Sequence, residues 1–483
     1  MSHFTTMAEA FEEVGPTFKF GPFSEILQPL IEEVLVEKGL TKFRKGTILV
    51  PVLLIWLILA LTIRRDLDYH KVLNWMVSGL RWLDGKLPPL SKIVSDGAIS
   101  HARVKMGVDV FRLLFNKLTT SLKKIPPDFY GRITVAFDGV TGTMPDSEDN
   151  RNKFNKPNSG RGQAAYPQLR MVSFVAVSVR LILDIAYAPF SGKGTGERAL
   201  MTEILERMTR KSLLILIDAG LYSLVMLWLI DNKKQEFLVA VPRNVKLKKL
   251  QSLGDGSYLS LLIGRIIDPR NPKWDDGRNR WMEVRILVRI VEYTIPGFRP
   301  KRLMTNILDT DILARDLVVH YHKRWDIEIT YDEIKTHQCA TLRGQAPTIF
   351  RSKRPDLVEQ ELYAMLIMYN SVRLLIVKAA DEHGKDPRFI SFLDALQHII
   401  DVAPLMTVAD AERRKEQFDL LLLLIADSGI DRPRRHRVNP RVVKIKMSKF
   451  KRKNKEDKSK QRNLEKELVI IPKPSTQDSL FPP

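Results

Sequence analysis

The chain has 483 residues, 77 of them Lys or Arg and 56 Asp or Glu, giving a formal charge of +21. At 44% hydrophobic residues it can bury the cores of two to four domains, which excludes wholesale disorder. Its single cysteine, Cys339, excludes a disulfide framework and a thiolate zinc site, and fits a reducing compartment.

A pI near 9.8 points to a polyanionic partner, nucleic acid first and an anionic membrane surface second. The charge is uneven, however. Residues 432–462 hold fifteen basic and two acidic side chains, a net of +13, which leaves +8 for the other 452 residues. A basic tail alone accounts for the pI, so function has to be sought in the body of the chain.

The opening MSHFTTMAEAFEEVG is acidic and lacks an early apolar run, so no secretory signal is expected. The apolar stretch Thr47–Ile63 lies between Arg44/Lys45 and Arg64/Arg65. It falls short of the roughly 20 residues that a membrane span needs. Pro51 suits the first turn of a helix, so the stretch predicts a buried core helix and no membrane partner. Residues 20–125 as a whole carry apolar clusters at helical spacing, broken at Gly46, Gly85 and Pro88-Pro89. Within them SDGAISHARVKMG (95–107) begins with an N-cap and places His101, Arg103 and Lys105 on a short helix. These three are candidate DNA contacts on a helix sized for a groove; an ordinary exposed helix explains them equally well.

From Arg132 the pattern changes. ITVAFD (133–138), QLRMVSFVAVSV (168–179) and LILDIAYAPF (181–190) read as strands. GERALMTEILERM (196–208) reads as a helix, LLILID (213–218) as a buried strand, GLYSLVMLWLI (220–230) as a helix and EFLVAVP (236–242) as a strand. That order predicts a mixed α/β sheet. GKGTGE (192–197) lacks the spacing of a phosphate-binding loop and reads as a turn. Residues 243–305 alternate strand-like pieces with turn-rich ones and predict a β-rich insertion. Helical grammar resumes at Asp311, and after Gly429 the chain becomes basic and then Pro-rich.

Two carboxylates close apolar strands: Asp138 after ITVAF and Asp218 after LLILI, each with a glycine within two residues. The expectation is that each strand ends at its acid, where α/β sheets place their ligands; a turn-initiating Asp is the plain alternative. The segment YHKRWDIEITYDEIK (321–335) is more telling. On a regular helix, Tyr321, Arg324, Glu328 and Lys335 fall within an arc of roughly 60°. A solvated face with an i,i+4 Arg–Glu pair would look the same. Yet a metal-binding carboxylate flanked by two cations and a hydroxyl is also what a phosphodiester site needs.

Tyr-x2-Arg-x3-Glu-x6-Lys is the signature of the IS4 family of DDE transposases, and the chain resembles that family at all four positions. FDGVTGTMPDSEDNRNKF (137–154) with AYPQLR (165–170) resembles the block around the family's first Asp, departing at Val140, where members more often carry Thr. LIDAGLYS (216–223) resembles the second-Asp block. LRGQAPTIFRSKRPDLVEQELYAMLIMYNSVR (342–373) and the basic RPRRHRVNPRVVKIKMSKF (432–450) resemble the family's stretches beyond the glutamate.

The resemblance covers roughly 20–450 and implies a fold class: α/β, with an RNase H-like catalytic core carrying a β-rich insertion, preceded by a helical N-terminal domain and followed by a helical, basic C-terminal region. The implied organisation is 1–125 helical and DNA-binding, 126–242 the first segment of the core, 243–305 insertion, 306–385 the second segment of the core, 386–431 helical and 432–483 a basic and disordered tail.

By the same resemblance the catalytic, metal-binding triad is Asp138, Asp218 and Glu328, and Tyr321, Arg324 and Lys335 grip phosphates. Three converging carboxylates repel one another without cations, and hard oxygen ligands select two Mg²⁺ or Mn²⁺ ions. The implied activity is binding of terminal inverted repeats in double-stranded DNA, cleavage of the element ends and joining to target DNA, by a homodimer on DNA in the bacterial cytoplasm at the nucleoid. A catalytically silent repressor and a structure-selective nuclease on the same fold are the competing readings.

Trp274, Trp281 and Phe298 in the insertion are candidates to stack on an extruded base, with core packing as the alternative. Gln477–Phe481, QDSLF, resembles the short peptide with which bacterial proteins dock on the replication sliding clamp.

Overall fold

The structure, a computed structural model, describes residues 15–42, 49–83, 94–121, 125–159, 162–242, 244–268, 273, 277–296, 298–341, 344–345, 348–408, 411–430, 437–438, 442–443, 451–458, 460–461 and 463–472. Two compact units share the chain. The first comprises described residues of 1–126, 138–204 and 327–430; the second comprises those of 127–137, 205–326 and 431–483.

Five helices open the first unit: α1 (Gly15–Glu37, kinked at Gly21), α2 (Pro51–Ile63), α3 (Tyr69–Leu83), α4 (Asp96–Met106) and α5 (Asp109–Ser121). Pro51 occupies the first turn of α2, where its missing N–H costs nothing. Val52–Thr62 are all buried, so α2 is a core helix. Each Leu or Ile in it contributes roughly 1.5–3 kcal/mol by leaving water.

Then follow β1 (Ile133–Thr143), α6 (Glu148–Phe154), β2 (Gln168–Ala176), β3 (Leu181–Pro189) and α7 (Glu197–Arg207). β2 and β3 pair antiparallel. β4 (Leu213–Ile217), α8 (Leu224–Asn232) and β5 (Glu236–Ala240) come next. In the second unit β4 lies parallel to both β1 and β5, with Ile133–Ala136 opposite Leu213–Leu216 and Leu214–Ile217 opposite Glu236–Val239. β4 is buried throughout, as a strand paired on both sides should be.

The residues expected to be a β-rich insertion hold β6 (Lys249–Ser252), β7 (Tyr258–Ile267), β8 (Trp281–Thr294) and β9 (Lys301–Thr305). They form an antiparallel run, and β9 pairs antiparallel with β5, so the insertion extends the sheet of the second unit. Arg289, fully buried on β8, ties the insertion to the segment beyond it: it donates to the Asp309 and Ile312 carbonyls at 2.7 and 2.8 Å and pairs with Asp255. Asp255 in turn accepts the Ala314 amide, the first N–H of the next helix.

That helix is α9 (Ala314–Tyr321), which runs into a 3₁₀ turn (His322–Trp325), α10 (Asp326–Asp332) and a π-helical turn (Glu333–Gln338). α11 (Pro355–Glu382), α12 (Phe392–Val408) and α13 (Ala411–Asp427) complete the first unit. α11 is long and apolar enough to cross a membrane by length and composition, but its apolar window is 83% buried and it packs on α2, α5, α12 and α13. It is the central core helix of its unit. In the second unit β10 (Val469–Ile470) adds to the edge of β8.

Two local expectations fail. β1 does not stop at Asp138; it runs on to Thr143, because it is paired with β2 as well as with β4, and at its end the Phe350 amide donates to the Thr143 carbonyl at 3.0 Å. The signature segment is not one regular α-helix either. A 3₁₀ turn winds about 120° per residue and a π turn winds less than an α-helix, so the even 100° spacing behind the predicted single face does not hold.

Candidate active site

Asp138 and Asp218 are reached by strands that run side by side until just short of them. The last register pair of β1 and β4 is Ala136 with Leu216, two residues before each aspartate. Asp218 follows the end of β4 directly and caps a short 3₁₀ turn, its Oδ2 accepting the Gly220 amide at 3.1 Å. Its side chain is 47% exposed, and Oδ1 lies 3.3 Å from a guanidinium nitrogen of Arg324. Asp138 is half-buried within β1, with Oδ1 accepting the Gly139 amide at 2.9 Å.

The signature residues divide by helix type. Tyr321, last residue of α9, is buried, and its hydroxyl donates to the Ile217 carbonyl at 3.1 Å, one residue before Asp218. Burial above all pushes its hydroxyl pKa up to about 12, so it is a donor at any working pH. Arg324, on the 3₁₀ turn, is buried, stacks over Trp325 and leaves its Nε without a hydrogen-bond partner. Glu328, on α10, is exposed. Lys335, on the π turn, is half-buried; burial lowers its pKa, and the nearby charge of Asp138 opposes that drop.

Asp138, Glu328 and Lys335 belong to the first unit, and Asp218, Tyr321 and Arg324 to the second. Among the described residues, no group of three or more His, Cys, Asp or Glu side chains is gathered as a metal-holding set. The chemistry of the three acids does suit a hard divalent cation: each is an oxygen donor, none is fully buried, and the lone thiol, Cys339, is buried and pushed above its usual pKa by desolvation.

Three features of this region escaped the sequence reading. Tyr331, on α10, is buried and donates its hydroxyl to the Asp138 carbonyl at 2.6 Å. Gly139 is closely approached: a Cβ there would lie 2.4 Å from Oε1 of Glu197, the acid that opens α7, so a larger residue would have to displace that side chain. An apolar cleft lined by Val140, Met171, Phe350 and Met365 has Tyr331 and Lys335 in its wall. The signals available were the Gly directly after Asp138 and a Tyr three residues after Glu328; neither says where a hydroxyl points.

In the N-terminal region Ser95 caps α4, accepting the Ala98 amide at 3.1 Å, and His101 and Lys105 are exposed. Arg103 is a correction. Expected to face DNA, it is fully buried, donating to Gln360 Oε1 (3.2 Å), Ser352 Oγ (3.2 Å), the Leu357 carbonyl (3.0 Å) and Tyr69. With its donors taken up inside the first unit, it has nothing left to offer a phosphate. In the insertion Trp281 and Phe298 are 52% and 44% exposed, which removes core packing as their explanation, while Trp274 lies outside the described residues. Gln477–Phe481 and most of 432–450 also lie outside them; Lys451–Lys455 are exposed.

Comparison with known proteins gives three findings. A family model described as Transposase DDE domain matches residues 130–371, half of the chain, and one described as Insertion element 4 transposase N-terminal matches 18–116. The transposase InsG for insertion sequence element IS4 of Escherichia coli (strain K12) is 27% identical over 424 residues, covering 86% of this chain and 89% of that protein. Among solved structures, a cryo-EM structure of the piggyBac transposase synaptic complex with hairpin DNA aligns over 87% of this chain and 85% of that one, at 11% identity and a TM-score of 0.39. The chain belongs to the IS4 family of DDE transposases, enzymes that cleave and transfer DNA strands.

Proposed function

We propose that this transposase binds the terminal inverted repeats of its element, cleaves the element ends and joins the freed 3′-hydroxyl to target DNA, with Asp138, Asp218 and Glu328 as its catalytic carboxylates. The core that carries them is read as RNase H-like. The observation that carries the assignment is the register of β1 and β4, whose last pair stands two residues before each aspartate. Exposure of Glu328, on the segment that also buries Tyr321 and Arg324 beside the end of β4, supports the third member.

The three acids would hold two Mg²⁺ or Mn²⁺ ions. When bound, such ions activate a water or a 3′-hydroxyl and stabilise the departing 3′-oxygen. The chain's own side chains have separate tasks. Tyr321 acts through the main chain, holding the Ile217 carbonyl at the end of β4 and so the base of Asp218. Arg324 neutralises Asp218 and sets a guanidinium charge beside the end of β4 for a phosphate. Lys335, half-buried near the charge of Asp138, supplies a second cation for phosphate.

Exposed His101 and Lys105 on α4, and Trp281 and Phe298 in the insertion, are proposed contacts to end DNA; residues 432–462 add salt-dependent, sequence-independent grip. The enzyme is read as a homodimer on double-stranded DNA, acting at the bacterial nucleoid, with the Gln477–Phe481 peptide available to the sliding clamp. Asp138→Asn tests the assignment: Mg²⁺-dependent cleavage of end DNA should vanish while end binding persists, and cleavage that survives contradicts it.

A further inference from the structure

We infer that Tyr331 is a positioning residue for strand cleavage: its buried hydroxyl fastens the main chain of Asp138 to the helix that carries Glu328, fixing two of the three proposed metal-binding carboxylates relative to each other. The inference rests on the assignment of Asp138 and Glu328 made above. All the groups involved lie in the first unit.

Tyr331 stands three residues after Glu328 on α10, about one turn along. Glu328 is exposed while Tyr331 is buried, so one short helix carries a solvent-reached carboxylate next to a buried hydroxyl. That hydroxyl donates to the Asp138 carbonyl at 2.6 Å. Burial holds the phenol protonated, so it remains a donor across the working pH range. β1 is hydrogen-bonded to β2 as well as to β4, and where its register with β4 has ended the Tyr331 hydroxyl adds a side-chain tie to the Asp138 main chain. A hydrogen bond made away from water is stronger and more directional than one at the surface.

The anchor is rigid because the next turn cannot slide. Glu333, first residue of the π turn, is buried and accepts from Arg180 Nη1 and from the Tyr369 hydroxyl, both at 2.8 Å, with Arg373 at 3.7 Å. An inserted π turn costs helix regularity and persists where tertiary contacts hold it, often at functional sites. Lys335 stands two residues on in the same turn. On the other side of the aspartate, Glu197 packs into the space left by the missing Cβ of Gly139. The main chain at Asp138 is thus tied by the Tyr331 hydroxyl, with the Glu197 side chain packed against Gly139 beside it. Two carboxylates kept in fixed relation bind a cation better than two that must first be brought together.

The experiment uses the full chain. Tyr331→Phe removes only the hydroxyl; 4-aminophenylalanine at position 331 restores a donor on the same ring. Asp138→Asn and Glu328→Gln serve as references for the site, and Tyr258→Phe removes a buried tyrosine hydroxyl in the insertion, one that donates to Glu292. Mn²⁺ binding is followed by electron paramagnetic resonance without DNA, alongside the Mn²⁺ concentration for half-maximal end cleavage and the affinity for end DNA.

Tyr331→Phe should weaken Mn²⁺ binding and raise the half-saturating concentration by roughly tenfold or more, leave end-DNA affinity unchanged, and be rescued by the amino analogue. Tyr258→Phe should move none of these. Wild-type Mn²⁺ binding in Tyr331→Phe, with binding lost in Asp138→Asn and Glu328→Gln, overturns the role of Tyr331 alone. Wild-type binding in those two reference variants overturns the site assignment, and the inference falls with it. If Tyr331→Phe does not fold, Glu333→Gln decides: loosening the π-turn anchor should raise the half-saturating Mn²⁺ by roughly threefold, and no change overturns the inference.

Discussion

Arg103 and Arg324 invite comparison. Both sit in segments expected to meet DNA, and both are buried. Arg103 spends its donors on Gln360, Ser352, Leu357 and Tyr69, all within its own unit. Arg324 has one half-exposed carboxylate, Asp218, and a buried Nε without a partner. The difference is one of satisfaction, not of burial. A guanidinium whose donors are matched within the core is a structural cross-link, whereas one tied to a half-exposed carboxylate is tied to a group that solvent reaches.

The largest expected effect is on Arg103. Arg103→Ala strands buried partners and should cost about 3–5 kcal/mol in urea unfolding, with end binding falling only as folded protein is lost. Arg324→Ala should do the reverse: unfolding free energy changes by about 1 kcal/mol, while end cleavage falls roughly a hundredfold. If Arg324→Ala unfolds the chain and Arg103→Ala spares it, the comparison is broken.

Gly139→Ala sharpens it at the first aspartate. The new methyl meets Glu197, and the strain should cost about 1–3 kcal/mol; adding Glu197→Ala should recover most of the melting temperature, a coupling that a double-mutant cycle measures. The smallest effect belongs to exposed Lys105 on α4. Lys105→Ala should lower the slope of log affinity against log salt by about 1 and leave stability unchanged. An unchanged slope would remove Lys105 from the DNA surface.

Much of this was legible in the sequence where the signal is local. Pro51 marked the start of a core helix, and LLILI ending at Asp218 marked a buried strand stopping at its acid. Strand order through 132–242 followed from alternating apolar runs and turns. What failed depends on partners far along the chain. β1 passes through Asp138 because it has a second strand partner, β2, whose sequence begins thirty residues further on. The signature helix changes type at Trp325 and Glu333, the latter held by Arg180 and Arg373. Arg103 looks like a surface residue until Leu357 and Gln360 close over it. Tyr331 gives no local sign that its hydroxyl reaches another aspartate's main chain.

The central claim is that Asp138, Asp218 and Glu328 surround the same cations. Fe²⁺ in place of Mg²⁺, with ascorbate and peroxide, cuts the polypeptide where the ion is held, and mass spectrometry locates the cuts. Breaks are expected beside all three residues, suppressed together by excess Mg²⁺ and lost together in Asp138→Asn. Breaks that omit one of the three, or that persist in Asp138→Asn, would contradict it.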